Sequence, residues 1–185
     1  MLVKLPHPIY TCCMKTILTL DQRTFDPSAD IADRENYNLR RAVRAVVRDA
    51  EGAVALLHAR QRDYYKLPGG GVEGSEELLI ALERELLEEL GCRAKVEREL
   101  GQVVEWRDYW RLQQQSFSYT AEVIGEKGQP EFTESEIAEG FEIVWVPNVA
   151  AAITMVESVL LSADLPVKFM ATRDAAILKA AQAAL

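Results

Sequence analysis

Residues 66–92 read KLPGGGVEGSEELLIALERELLEELGC, and this segment carries the strongest pattern in the chain. Residues 69–71, here called the glycine loop, follow a rigid Leu-Pro pair, and glycines allow a backbone to approach a ligand closely. Ser75 is a residue type that begins helices, and Gly91 is one that ends them. The sequence therefore predicts a glycine loop that leads directly into a helix over residues 75–90.

The predicted helix has an apolar stripe and an acidic flank. A rotation of roughly 100° per residue gathers five leucines on one side, where a core would cover them: Leu78, Leu79, Leu82, Leu86 and Leu90. Glu85, Glu88 and Glu89 fall together beside that stripe, with Glu89 at its edge. A solvated acidic face is the ordinary explanation, but these like charges repel one another and only Arg84 accompanies them. The cluster therefore favours a site for one or more hard divalent cations.

Composition limits the classes of partner. The chain has 185 residues, of which 49% are hydrophobic, and this suits one globular domain. A net charge of −8 disfavours binding to a nucleic acid polymer, although a small phosphorylated molecule can bind when cations bridge the charges. No apolar run is long enough to predict a membrane span. Three cysteines cannot all pair in disulfides, so we expect reduced thiols and a cytoplasmic location.

The order of predicted elements favours the α+β class. Residues 1–38 form a poorly defined N-terminal segment with a short strand near residues 17–20, and residues 39–185 form a single domain. We predict a hairpin of two strands over residues 42–48 and 53–59, further strands at 93–105, 111–124 and 141–146, and helices at 148–161 and 167–184. Strands and helices do not alternate regularly, which argues against a doubly wound parallel sheet.

The charged and glycine positions together resemble the Nudix box of the Nudix (MutT-like) hydrolases. From Gly70 the chain reads Gly, five residues, Glu76, seven residues, Arg84-Glu85-Leu86-Leu87-Glu88-Glu89-Leu90-Gly91, then Cys92. The one departure is Cys92, where the family usually has an aliphatic residue, and a buried cysteine behaves as a small hydrophobic residue. The box spans 23 of the 185 positions.

The resemblance implies a fold, a reaction and a set of metal ligands. The fold would be an α/β/α sandwich with a mixed sheet, and the reaction would be hydrolysis of a nucleoside diphosphate linked to another group. Arg84 would hold the constellation by ion pairing, and a homodimer is expected because many relatives dimerise. The ligands of Mg²⁺, or of Mn²⁺ in its place, would be Glu85, Glu88, Glu89 and a backbone carbonyl of Gly69 or Gly70.

Hydrolysis also needs a group that accepts a proton from the attacking water. Glu85 is one candidate because it lies beside the other carboxylates. Family members also recruit a base or further ligand from a loop outside the box, and here Glu136 and Glu139 occupy such a loop. Solvated loop acids are the competing explanation for both residues.

The substrate pocket must come from outside the box. Tyr64 and Tyr65 border the glycine loop and Tyr109 lies in an aromatic stretch, so each can stack on a base, while Arg107 can meet a phosphate. A nucleoside triphosphate, ordinary or modified, ranks first by elimination, because markers of other subfamilies are weak or missing. The alternatives are a dinucleoside polyphosphate, a nucleotide sugar or ADP-ribose, and less favoured are an isoprenoid diphosphate isomerase and a non-enzymatic nucleotide sensor.

Overall fold

The computed structural model of the protein describes residues 14–31 and 33–184. Within them, seven strands form one sheet: β1 (Thr16–Asp21), β2 (Asn38–Arg48), β3 (Val54–Ala59), β4 (Tyr64–Lys66), β5 (Arg93–Arg107), β6 (Leu112–Ile124) and β7 (Phe141–Val146). The helices are α1 (Leu78–Leu90), α2 (Glu134–Glu139), α3 (Val149–Glu157) and α4 (Leu165–Ala184). No described helix is long and apolar enough to cross a membrane.

The sheet is mixed, in the order β1-β5-β6-β2-β3-β4, with β7 on the second edge of β3. β1 runs parallel to β5 and β2 runs parallel to β6, whereas the other pairs are antiparallel. The predicted hairpin of β2 and β3 is confirmed, with Arg48 opposite Val54.

Alternation along β2 supplies both halves of the core, because successive side chains of a strand point to opposite faces. Val43, Ala45 and Val47 are fully buried on one face against the leucine stripe of α1. Val46 is fully buried on the other face, in a cluster with residues of α3 and α4. Helices thus cover both faces of the sheet, and the α/β/α expectation is confirmed.

The glycine loop takes the place of a neighbouring strand along part of β2. The Ala45 N–H donates to the Pro68 carbonyl at 3.1 Å, and the Val43 N–H donates to the Gly70 carbonyl at 2.9 Å. One step further, the Val72 N–H donates to the Arg41 carbonyl at 3.0 Å. β2 therefore fixes the glycine loop at the edge of the sheet, directly before α1 begins.

The predicted C-terminal end of α1 at Gly91 is confirmed, whereas the predicted N-terminal end is not. Gly91 ends the helix in the left-handed conformation, with φ of 62°. The helix begins at Leu78 with Glu77 as its N-cap, so the prediction of Ser75 as the cap is wrong. Before the helix, the Glu76 N–H closes a turn onto the Glu73 carbonyl at 2.8 Å, and the Glu76 carboxylate pairs with Arg84. Residues 134–139, which we expected to be a loop, form the short helix α2.

Part of the N-terminal segment is joined to the sheet. Thr16–Asp21 forms β1, as the short predicted strand suggested, and residues 1–13 of that segment lie outside the described residues. Asp108, in the turn between β5 and β6, accepts hydrogen bonds from Arg34, from Tyr37 and from the backbone N–H of Gln22. Burial raises the pKa of Asp108, but these donors outweigh it, and the pKa lies below its ordinary value.

Candidate functional site

A cleft of about 300 Å³ opens between the glycine loop, the acidic flank of α1 and the segment before α2. The side chains that line it are charged or small, and no aromatic ring is among those that the structure describes there. Its lining consists of Arg40, Arg44, Lys66, Gly69, Gly70, Gly71, Glu73, Arg84, Glu85, Glu88, Glu89, Glu131, Thr133 and Glu136. Such a lining suits a small, highly charged group better than an apolar one.

Glu89 is buried, with 3% of its surface exposed. Its carboxylate accepts a hydrogen bond from the backbone N–H of Gly69 at 2.5 Å and another from the Lys66 ammonium at 2.9 Å. Burial raises the pKa of the Glu89 carboxyl, and the contacts with Lys66 and Gly69 oppose that rise. The edge position that the helix pattern gives to Glu89 is confirmed, and the carboxylate ties α1 to the glycine loop.

Glu85 lies against the backbone of Gly70. A Cβ atom added to Gly70 would lie 2.2 Å from Oε2 of Glu85, so only glycine leaves room for this carboxylate. Oε1 of Glu85 accepts a hydrogen bond from Arg84 at 2.9 Å. Gly70 is therefore a cradle for the Glu85 carboxylate.

Arg84 joins the acidic residues to the glycine loop. It donates to both carboxylate oxygens of Glu76, at 3.2 and 3.0 Å, and to the carbonyl of Gly71 at 2.9 Å. It also contacts Glu88 at 3.3 Å, whose side chain is 43% exposed. These ion pairs hold the pKa of Arg84 above its ordinary value, the bond with Glu76 having the largest effect. The structure thus contains the ion pairing expected of Arg84.

The two candidate carbonyls differ in what they already bind. The Gly70 carbonyl accepts from the Val43 N–H at 2.9 Å and from Arg44 at 3.3 Å. The Gly69 carbonyl accepts no hydrogen bond within the described residues. Gly69 itself has φ of 122°, and a Cβ there would lie 2.2 Å from the Val43 carbonyl oxygen. Of the two, Gly69 offers the free acceptor.

The donor set fits a hard divalent cation. Mg²⁺ and Mn²⁺ take oxygen ligands, and the site offers three carboxylates on one flank of α1 and the free carbonyl of Gly69. Gly70 leaves the space that one of these carboxylates, that of Glu85, occupies. Among the described residues, no three acidic, histidine or cysteine side chains converge on one point. Glu89 pairs with Lys66 and Glu85 pairs with Arg84 instead. A metal that binds here would take over part of that neutralisation.

The structure separates the two downstream base candidates. Glu136 lines the cleft, where its carboxylate accepts from the N–H of Thr133 at 2.9 Å in the cap of α2. Glu139 lies outside the lining and accepts the hydroxyl hydrogen of Tyr64 at 2.9 Å. Of the two, Glu136 is the one that the fold brings to the box glutamates.

The predicted stacking residues do not line the cleft. Tyr64 is 5% exposed and packs its ring edge-on against Phe141, and burial raises the pKa of its hydroxyl. Tyr65 stacks on His58, with ring centroids 4.3 Å apart. Both rings border the glycine loop in sequence, but the surrounding strands already cover them.

Arg107 and Tyr109 lie further from the box glutamates. Arg107 donates to the buried carboxylate of Glu105 at 2.8 Å and lies over the ring of Phe169. Tyr109 is 76% exposed beside Trp110. Neither residue belongs to the cleft lining.

Several residues of the cleft were not singled out from the sequence. Lys66 pairs with Glu89, and Arg40 and Arg44 approach the glycine loop from β2. On the α4 side, Asp174 accepts the N–H of Leu67 at 2.9 Å and so fixes the entry to the loop. The available signal was Arg44, the one charged residue within residues 42–47, because buried strands rarely contain unpaired charges.

Comparison with known proteins identifies the family. A family model described as the NUDIX domain matches residues 38–159. The chain belongs to the Nudix family. The match includes the glycine loop, α1 and the segment that contains Glu136, so all the elements that form the cleft lie within the Nudix domain. A comparison with curated protein sequences gave no match.

Solved structures of other proteins share the fold. The E. coli ORF135 protein superposes with a TM-score of 0.56 and 22% identity, covering 80% of this chain and 91% of that one. A NUDIX hydrolase from Nitrosomonas europaea superposes with a TM-score of 0.58 and 16% identity, covering 80% of this chain and 90% of that one. The MutT protein from Methanosarcina mazei Go1 superposes with a TM-score of 0.51 and 21% identity, covering 80% of this chain and 97% of that one. With the family established, the protein is a Nudix hydrolase.

Proposed function

We propose that the protein hydrolyses a phosphoanhydride bond in a nucleoside diphosphate derivative, with a nucleoside triphosphate, ordinary or modified, as the first candidate, and that it needs Mg²⁺. The observation that carries the proposal is the cradle at Gly70, where the Glu85 carboxylate lies within a cleft lined by charged residues, glycines and one threonine. A cleft of this volume suits the phosphate portion of a nucleotide, and leaves the base outside the charged walls.

Glu85, Glu88 and Glu89 would hold the metal, with the Gly69 carbonyl as a further ligand. Mn²⁺ would substitute for Mg²⁺ because both ions take oxygen ligands. When bound, the metal would supply charge neutralisation and a water of lowered pKa. Arg84 would keep Glu85 in its cradle through their 2.9 Å contact, and Lys66 would help to position Glu89.

The chain's own residues would orient the phosphates and accept the proton. Glu136 is our preferred base outside the box, because it lines the cleft while Glu139 is bonded to Tyr64. Glu85 stays the alternative base, since its carboxylate lines the cleft against Gly70. Both cap bonds from Thr133 go to Oε2 of Glu136, so Oε1 could accept the proton while the cap stays intact.

The test is hydrolysis of a panel that contains nucleoside triphosphates, dinucleoside polyphosphates, nucleotide sugars and ADP-ribose, with Mg²⁺ present and products identified by mass. We expect cleavage between phosphates, and the masses identify the substrate and the bond. Glu88→Gln is the informative variant, because its exposed side chain can be changed with little effect on folding. Its matched control is Glu83→Gln on the exposed face of α1.

We expect Glu88→Gln to lower kcat by at least about a hundredfold, as removal of a group that stabilises the transition state does. Glu83→Gln should keep the rate of the unchanged protein. Equal rates for the two variants would refute the proposed site, and absence of hydrolysis across the whole panel would refute the proposed reaction. A small nucleotide partner, a cytoplasmic location and a homodimer stay predictions.

A further inference from the structure

Arg44 is a buried cation with no carboxylate partner among the residues that the structure describes. It is 5% exposed, and its Nε has no hydrogen-bond partner there. Its Nη1 donates to two backbone carbonyls, that of Val43 at 2.6 Å and that of Gly70 at 3.3 Å. A buried guanidinium without an anion is costly, so this arrangement points to a missing negative partner.

Arg40 lies on the same face of β2, four residues earlier, and also faces the cleft. Its Nη1 donates to the side-chain oxygen of Gln114 at 2.7 Å, and its Nη2 lies 3.6 Å from where a Cβ of Gly71 would be. It forms no ion pair within the described residues. The remaining donors of Arg40 are therefore available to a ligand beside the glycine loop.

The carboxylates around these two arginines are all paired with other cations. Arg107 and Arg173 lie near Arg40 and Arg44, and the carboxylates around this group are Glu105, Asp174, Glu85 and Glu89. The carboxylates are already engaged, Glu105 by Arg107 and Asp174 by Arg173. Glu89 is engaged by Lys66 and Glu85 by Arg84, so neither Arg40 nor Arg44 has an ion-pair partner among the described residues.

The two arginines lie next to the metal-binding carboxylates without being paired to them. Gly70 separates the two sets, because the Glu85 carboxylate lies against its Cα and Arg44 contacts its carbonyl oxygen. An anion bound by Arg44 would thus lie about one residue's width from the group that Glu85 binds. Adjacent phosphates of one polyphosphate chain have this kind of spacing.

We infer that Arg40 and Arg44 form a second phosphate subsite, which binds a phosphate beyond the pair that the acidic helix engages. The inference rests on the proposed function and narrows its substrate class to compounds with three or more linked phosphates. Planar guanidinium groups suit this role because they donate paired hydrogen bonds to phosphate oxygens. Nucleotide sugars, which have only two phosphates, would leave the subsite unused.

The first test measures anion binding without metal, by calorimetry in EDTA at fixed ionic strength. The probes are inorganic tripolyphosphate and pyrophosphate. We expect the unchanged protein to bind tripolyphosphate more tightly, and Arg40→Gln to weaken that binding by roughly tenfold or more, as loss of a charged hydrogen bond does. The matched control is Arg41→Gln, which removes the same charge from the neighbouring residue, whose side chain lies over Phe117 instead.

The variant Arg44→Lys distinguishes a role of Arg44 in binding anions from a role in supporting the glycine loop. It keeps the positive charge but loses the planar group, so we expect weaker tripolyphosphate binding with a melting temperature close to that of the unchanged protein. A purely structural role would lower the melting temperature and leave anion affinity intact. Equal weakening by Arg40→Gln and Arg41→Gln, or no binding of tripolyphosphate at all, would overturn the subsite.

The second test compares kcat/KM for a nucleoside triphosphate and a nucleotide sugar. Arg40→Gln should lower the ratio of the two values about tenfold, and Arg41→Gln should leave it unchanged. The subsite and the proposed function can fail separately. Arginine-dependent tripolyphosphate binding with no hydrolysis refutes the function only, whereas hydrolysis with an unchanged ratio in Arg40→Gln refutes the subsite only.

Discussion

Replacing Gly70 by alanine should damage the site while the fold survives. The added Cβ would lie 2.2 Å from Oε2 of Glu85, whereas an ordinary contact is 3.4 Å or more. The Glu85 carboxylate must therefore withdraw by about 1 Å, since Gly70 has no positive φ that would strain the backbone itself. A displacement of that size at a reacting centre costs about a hundredfold in rate, or about 2.7 kcal/mol.

Stability should change little in Gly70→Ala. Alanine restricts the unfolded chain and so stabilises by about 0.4–1 kcal/mol, which offsets part of the contact with a flexible side chain. Gly69→Ala should behave differently, because its φ is 122° and its Cβ would lie 2.2 Å from the backbone oxygen of Val43. We expect that variant to lose about 3 kcal/mol or more.

The assay for these variants combines Mg²⁺-dependent hydrolysis of the best substrate in the panel with urea unfolding. Gly52→Ala is the control, because its φ of 84° imposes strain in the turn after β2 while a Cβ there meets nothing within 4 Å. It should lose about 1–2 kcal/mol of stability and keep its kcat. A Gly70→Ala enzyme with the kcat of the unchanged protein would refute the cradle, and raising Mg²⁺ should recover part of its lost rate.

Three further changes test the supports of the site. Asp174→Ala should lower the free energy of unfolding by about 3–5 kcal/mol in urea, because it removes the closer of the two carboxylates paired with buried Arg173 and also the acceptor for the Leu67 N–H; a loss below 1 kcal/mol would contradict this. Arg84→Lys should lower kcat about tenfold in steady-state assays, since lysine cannot hold Glu76 and Glu85 together; an unchanged kcat would contradict this. Asp108→Asn should cost about 1–3 kcal/mol at pH 7. Because the pKa of Asp108 is lower in the folded state, its contribution is complete above about pH 4 and is lost as the pH falls further, so unfolding curves of the two proteins should converge in acid.

The local features of the box could be predicted because they depend on residues close together in sequence. Helical spacing placed Glu89 at the edge of the leucine stripe, and the structure buries it there. Three valines within residues 42–48 predicted β2, and Gly91 predicted the end of α1. The helix α2 was not predicted because six residues are too few to show a helical periodicity. Thr133 and Glu136 form a capping box, which is a sequence signal for the start of this helix.

Long-range contacts could not be predicted in the same way. Asp174 bonds to Leu67 across 107 positions, and Lys66 reaches Glu89 across 23, so no local pattern joins them. For Tyr64 the sequence predicted a contact that the fold does not make, because closeness to the glycine loop in sequence suggested stacking on a substrate base. The fold instead packs its ring against Phe141 and bonds its hydroxyl to Glu139.

Binding of Mn²⁺, followed by electron paramagnetic resonance of the free ion, tests whether the acidic flank of α1 is a metal site. We expect the unchanged protein and Glu83→Gln to bind Mn²⁺ equally, and Glu85→Gln and Glu88→Gln each to bind it at least about tenfold more weakly. Mg²⁺ should displace the bound ion. Equal binding by all four proteins, or no binding by the unchanged protein, would contradict the assignment of these carboxylates as metal ligands.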